Sequence, residues 1–311
     1  MGEMAHMFFG KIGIRLFYLC IAVYLYGDLA IYATAVPKSM RNVVCESSDG
    51  GGNYSSNNSS TQTNSTSDHG DKCYGLERDA VYRILVAIFA VLVCPFAFTN
   101  VQKTKYVQYL TTFLRWLCFS LMIVLALIRL GQRKGSGKPS VADFSGIPDL
   151  FGASVYSFMC QHSLPSLITP LKNKKYVTSI LFMDVGVALL FYSLLSFTAV
   201  FTFSESQIED VYTLSFKHIT SSGISTFLAL YPVFALSASF PIISITLREN
   251  LKSLFQKDGR EFSWAVEKIV FPLFAVLPPI VIALSTTNVE MLVSLTGSYA
   301  GAGVHMLYRP C

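Results

Sequence analysis

The chain has 311 residues, of which 52% are hydrophobic and only 14% charged, well below the quarter or so usual for soluble domains. Long apolar runs recur from end to end, which excludes a soluble domain on a single anchor and predicts an all-α membrane protein of about eight transmembrane helices. The net charge of +5 does not point to nucleic acid, because the basic residues fall in short clusters between apolar runs, where membrane topology accounts for them.

Windows of roughly 20 apolar residues predict spans at 12–36, 80–99, 107–130, 150–171, 177–200, 223–247, 268–286 and 289–307. The first has a second reading as a signal peptide, since Lys11 and Arg15 precede an apolar run that ends Ala33-Thr34-Ala35. Its length, and Asp28 within it, favour a retained helix.

Residues 37–79 form the first long loop, and its centre, ESSDGGGNYSSNNSSTQTNSTSDHGDK, is nearly free of large hydrophobes. It carries N-x-S/T acceptors at Asn53, Asn57, Asn58 and Asn64. A low-complexity linker is the plain alternative; the crowding of acceptors predicts a glycosylated loop, lumenal or extracellular. That compartment permits a disulfide between Cys45 and Cys73, which bracket the loop. Cys20, Cys94, Cys118 and Cys160 lie in apolar runs, where a thiol behaves as a small hydrophobe. No CxxC or Cys/His cluster occurs at ligand spacing, so no metal site is expected.

With that loop outside, alternation makes 100–106, 172–176 and 248–267 cytosolic. These segments carry Lys103, Lys105, Lys172, Lys174, Lys175, Arg248, Lys252, Lys257 and Arg260, in keeping with the positive-inside tendency. The loop at 131–149 is the exception, placing Arg133, Lys134 and Lys138 outside.

The fourth span is interrupted. Within VYSFMCQHSLPSLITP, residues 155–170, Pro165 removes a helical donor and Pro170 repeats this toward the cytosolic end. Non-helical backbone inside a bilayer survives only against protein or water, so the break predicts either a proline kink or a binding site lined by Phe158, Cys160, Gln161, His162, Ser163 and Pro165. Two half-helix ends meeting there would suit a small zwitterion or an ion. His162 reads either as a proton relay or as a buried hydrogen-bonding residue.

Asp28, Arg115 and Asp184 lie inside apolar runs, where ionisable groups are costly and usually paired. At ~1.5 Å per residue, Arg115 and Asp184 stand roughly 12 and 10 Å from their cytosolic helix starts, and a structural ion pair is expected. Ser237 and Ser239 offer hydroxyls in the sixth span, either to an ion or to a neighbouring helix. Gly297-x-x-x-Gly301 suits close packing, and Pro278-Pro279 reads as a kink.

The stretch VYSFMCQHSLPSLITP resembles the sixth helix of the amino acid/auxin permease family, in the amino acid/polyamine/organocation superfamily. LYPVFALSASFPIISITLRENLK, residues 230–252, resembles the family's eighth helix, and FFGKIGIRLFYLCIAVYLYGDLAIYATAVP resembles the third helix of an orphan member. The resemblance implies an eleven-helix, LeuT-type inverted repeat around a midplane site made by discontinuous helices. The eight spans would then be helices 3 to 10, with helices 1, 2 and 11 outside this sequence and a divergent end at 303–311. It implies a half-site at 158–165, with Ser237 and Ser239 at a family ion site.

Two functions follow as expectations. One is alternating-access transport of a small amino acid, coupled to sodium or protons and using no other cofactor. The other is a non-transporting amino acid sensor or a regulatory truncated form. An enzyme is not expected, since no Gly-rich phosphate loop, HExxH, GxSxG or carboxylate pair occurs. The expected partners are the lipid bilayer and the amino acid, at the plasma membrane or in the secretory or endolysosomal system.

Overall fold

The computed structural model describes residues 11–49, 72–73, 76–98, 105–133, 135–137, 144, 146–158, 176–204, 208, 211–216, 220–255, 263–264, 266–301 and 303. In chain order these form α1 (Lys11–Asp49), a small antiparallel hairpin of β1 (Lys72–Cys73) and β2 (Leu76–Glu77), α2 (Arg78–Ala97), α3 (Lys105–Gly131) and α4 (Ile147–Ser157). There follow α5 (Val177–Thr202), a 3₁₀ turn (Tyr212–Phe216), α6 (Ser222–Phe255), a π turn (Val266–Val270), α7 (Phe271–Ser285), α8 (Val289–Leu295) and a second π turn (Thr296–Gly301). Five segments are long and apolar enough to cross a membrane: Gly13–Cys45, Tyr109–Gly131, Val177–Thr202, Gly223–Phe255 and Val266–Ser285.

The hairpin pairs Lys72 with Glu77 and Cys73 with Leu76, and leads directly into α2. Local chemistry sets several starts. Pro148 and Pro272 stand in the first turns of α4 and α7, where the missing N–H has no helical partner to lose. The Asn288 side chain accepts a 2.9 Å bond from the Met291 N–H and caps α8.

α1 is the central post. Its largest interface is with α6, and it also packs on α2, α7, α8 and the second π turn. Ile14, Phe17, Ile21, Leu25, Leu29, Ala33 and Val36 run down its buried side. A second core joins α3, α5, the 3₁₀ turn and α6 through Cys118, Met122, Ala126, Phe203, Phe216 and Leu228. α5 buries only Thr198 and Thr202 and turns Phe182, Met183 and Phe197 outward, as suits a helix whose solvent is hydrocarbon.

Long-range bonds show which helix ends lie together. Near one end, the Asn250 amide of α6 donates to the Tyr18 carbonyl of α1 at 2.9 Å. At the other, Tyr82 of α2 donates to the Ala283 carbonyl at 2.8 Å, and Lys38 to the Thr287 carbonyl at 3.4 Å. The segment after α3 is pinned to the end of α5 by the Ser136 N–H, 3.2 Å from the Thr202 carbonyl.

The structure departs from the sequence expectation at the loop boundary. Residues 37–49, assigned above to the loop, continue α1 straight through Pro37. Packing overrides the proline there: Ser39 and Cys45 are buried, Arg41 stands 5.8 Å over the Tyr82 ring, and Lys38 reaches the end of α7. α7 likewise continues through Pro278 and Pro279. Pro278 has no N–H for the Phe274 carbonyl, and the Tyr26 hydroxyl of α1 donates to that carbonyl at 2.8 Å.

Candidate functional site

The densest polar constellation in the described membrane region is built on one stripe of α1. Tyr24, Asp28 and Tyr32 recur at i, i+4 and i+8 and so share a helix face. Asp28 is 6% exposed. Its carboxylate accepts a short hydrogen bond from the Tyr156 hydroxyl of α4. The Tyr24 and Tyr156 rings lie 6.2 Å apart, and Tyr32 packs in the same cluster as Tyr156, Leu236 and Val289. A buried carboxylate surrounded by phenols is held by hydrogen bonding rather than by an ion pair.

Glycines make that approach possible. On α4, Asp149, Gly152 and Tyr156 follow one another along one face. Asp149 accepts a 2.6 Å bond from the Ser294 hydroxyl. A Cβ at Gly152 would lie 2.6 Å from the Ser294 carbonyl, and one at Gly297 would collide with the Gly152 backbone. One residue before Asp28, Gly27 leaves room for the Thr296 side chain. α4 is thus seated by backbone-to-backbone contact on the second π turn, and Tyr156 is carried onto Asp28. This gives Gly297 of the G-x-x-x-G spacing its packing role.

Past Tyr156, Phe158 sets its ring edge-on to Tyr192 of α5, centroids 5.8 Å apart. Tyr231 of α6 packs against the core that contains Cys118 of α3. α4 therefore meets α1 at the buried carboxylate and reaches α5 through Phe158.

Of the residues expected at the break, Phe158 ends α4 in this region. Cys160, Gln161, His162, Ser163 and Pro165 lie outside the described residues, as do Asn53, Asn57, Asn58 and Asn64 and all of the 303–311 end except Gly303. Ser239 turns its hydroxyl back to the Ala235 carbonyl at 3.0 Å. Ser237 precedes Pro241 by four residues, so its carbonyl lacks a helical donor. Cys45 is buried near the end of α1 and Cys73 lies in β1. Among the described residues, no group of three His, Cys, Asp or Glu side chains is placed to hold a metal.

The expected Arg115–Asp184 ion pair is corrected. Among the described residues the ion pairs are Arg248–Glu249 and Lys252–Glu267. The physical reason is register: Trp116 of α3 meets Phe191 of α5, centroids 4.8 Å apart. That puts Arg115 level with residue 190 or so, and Asp184 lies about 9 Å further toward the helix start at ~1.5 Å per residue. Counting depth from each helix start assumed a common plane that the packing does not keep. The phenols were the features the sequence reading missed, and the i, i+4, i+8 spacing of Tyr24, Asp28 and Tyr32 was the signal that could have found them.

A profile of the family described as "Transmembrane amino acid transporter protein" matches residues 2–310. The chain is 51% identical over 308 residues to Transmembrane protein 104 of Homo sapiens, covering 98% of this chain and 61% of that protein. It is 44% identical over 322 residues to the Transmembrane protein 104 homolog of Drosophila melanogaster, covering 99% and 62%. With the homolog of Dictyostelium discoideum it shares 36% identity over 323 residues, covering 97% and 60%. The chain spans about three fifths of the length of these curated relatives. No solved structure matches it. An all-helical membrane protein whose family profile matches residues 2–310 and which is half identical to Transmembrane protein 104 of Homo sapiens, this chain belongs to the transmembrane amino acid transporter protein family.

Proposed function

We propose that the chain supplies most of a carrier that moves a small amino acid by alternating access, coupled to sodium or protons, within a LeuT-type inverted-repeat fold. The observation that carries this reading is the Asp28–Tyr156 contact: a buried carboxylate on the central helix ties down the helix that leads into Cys160-Gln161-His162-Ser163-Leu164-Pro165. Discontinuous helices at the midplane are where such carriers hold substrate and ion. The break would contribute its backbone and the His162 and Gln161 side chains, and Ser237 and Ser239 would serve an ion beside Pro241. Family membership supports a small-molecule substrate.

Residues 50–71 are proposed to face the lumen or the cell exterior and to carry glycans at Asn53, Asn57, Asn58 and Asn64. A Cys45–Cys73 bridge is proposed to close the base of this loop in that oxidising compartment, apart from the free thiols of Cys20, Cys94 and Cys118.

Purified protein in proteoliposomes, loaded with each labelled amino acid under sodium or pH gradients, tests the reading. Gradient-driven uptake of at least one amino acid is expected. Thermal stabilisation by an amino acid with no uptake under either gradient would overturn transport and favour a sensor.

A further inference from the structure

The start of α1, the end of α6 and the first π turn lie together at one end of the molecule, and the contacts between them fix which residues share a height. Asn250 of α6 meets the Tyr18 carbonyl at 2.9 Å, and Leu236 packs in the same cluster as Tyr32. The two helices therefore run antiparallel, and Arg15 stands level with Ser253, next to Lys252. α7 runs parallel to α1, since Tyr26 reaches the Phe274 carbonyl and Lys38 that of Thr287. Carried back, the same offset sets Arg15 near the height of Ser263 and Trp264. Arg15 precedes Tyr26 by about three turns at 3.6 residues per turn, so it lies on the side of α1 that faces α7.

The charges at this end do not balance. Arg248 and Lys252 are paired with Glu249 and Glu267, at 2.9 and 2.5 Å. Arg15 is exposed and belongs to neither pair, and the Lys268 ammonium stands 5.4 Å from the centre of the Trp264 ring. Trp264 is itself 67% exposed, and Ile269 and Val270 of the π turn, at the start of an apolar span, are half exposed. Two unneutralised cations thus flank an outward indole, with an apolar surface directly beneath. That order, cation and indole above hydrocarbon, matches a lipid at the membrane boundary. A soluble anion would have no use for the apolar part. Guanidinium and ammonium groups both suit a phosphate, and this end is the one expected in the cytosol, where the leaflet carries anionic lipid. We propose that Arg15 and Lys268 together hold the phosphate of an anionic phospholipid, with Trp264 at its headgroup and its acyl chains over Ile269 and Val270.

The test titrates the full chain in detergent with dioleoyl phosphatidylglycerol, dioleoyl phosphatidylcholine or inorganic phosphate, and counts bound molecules by native mass spectrometry. Phosphatidylglycerol is expected to bind more tightly than phosphatidylcholine. Arg15→Gln and Lys268→Gln are each expected to weaken it about fivefold, and the double variant about 30-fold, at the usual gain per basic residue near an anionic surface. Arg83→Gln, which removes an exposed charge at the opposite end, is expected to leave the preference unchanged. A second measurement keeps both cations. Trp116→Phe leaves Trp264 as the sole tryptophan, and phosphatidylglycerol with brominated chains is expected to quench it more than brominated phosphatidylcholine at the same mole fraction. Equal binding or equal quenching by the two lipids overturns the proposal, as does an undiminished preference in the double variant. An equal loss in Arg83→Gln would show only net charge at work, and inorganic phosphate binding as tightly as the lipid would show a site for the free anion; either result overturns it too.

Discussion

At the scale of single residues, Asp28 is the side chain whose surroundings most constrain this molecule. Its carboxylate is buried, and the Tyr156 hydroxyl is its closest donor among the described residues. Replacing Tyr156 with Phe keeps the ring packing on Tyr24 and removes the donor, so the cost is that of a buried acceptor left unsatisfied, about 1–3 kcal/mol. A double-mutant cycle of Tyr156→Phe and Asp28→Asn, read by melting in detergent, is expected to show a coupling of about 1 kcal/mol or more. Additivity to within a few tenths would mean that the two groups do not act as a unit. Tyr26 offers an independent case. Its hydroxyl completes the Phe274 carbonyl that Pro278 cannot serve, so Tyr26→Phe is expected to lower the melting temperature in the wild type and much less in a Pro278→Ala background, where the helical N–H is restored.

Among the elements, α4 and α5 show opposite ways of being held. α4 is short and is seated by glycine, with the Gly152 backbone against Ser294 and Gly297. An added methyl there meets backbone that cannot swing away, and Gly152→Ala is expected to cost about 1–3 kcal/mol. α5 touches α3 but leaves most of its surface to lipid, and nothing lies within 4 Å of a Cβ built at Gly186. Gly186→Ala is therefore expected to stabilise by about 0.5–1 kcal/mol through helix propensity alone. A stabilised Gly152→Ala protein would show that α4 is loosely docked. The helical character of both segments was legible from apolar run length. Their docking was not, because α4 is positioned by main-chain approach and α5 by ring contacts at Phe191 and Tyr192, and neither leaves a periodic signature in the sequence.

For the whole molecule, orientation in the membrane follows from which helix ends lie together. The structure groups the ends of α1 and α7 with the start of α2, and the end of α3 with that of α5, and the loop after α1 then decides the orientation. Enzymatic deglycosylation is expected to shift the wild-type protein on a gel. Replacing Asn53, Asn57, Asn58 and Asn64 with Gln is expected to abolish the shift, and a wild-type protein that does not shift would overturn the glycosylated-loop assignment. If Cys45 and Cys73 are bridged, Cys45→Ser and Cys73→Ser each lose about 3–4 kcal/mol, the entropy of closing a loop of this length. The double substitution should then cost no more than either single one. Additive losses would show that the two cysteines are not partners.

Membrane class, all-helical content and family were determined by the sequence itself, because the length of an apolar run and the local order of a motif survive without any knowledge of neighbours. What only the tertiary structure decided were the partnerships. Asp28 and Tyr156 meet across 128 residues of chain, and Arg115 and Asp184 stand at different heights because Trp116 settles on Phe191. α1 runs through Pro37 because its far turns have α2 and α7 to pack on. Each depends on the axial register between helices, which side-chain packing sets and no single helix encodes.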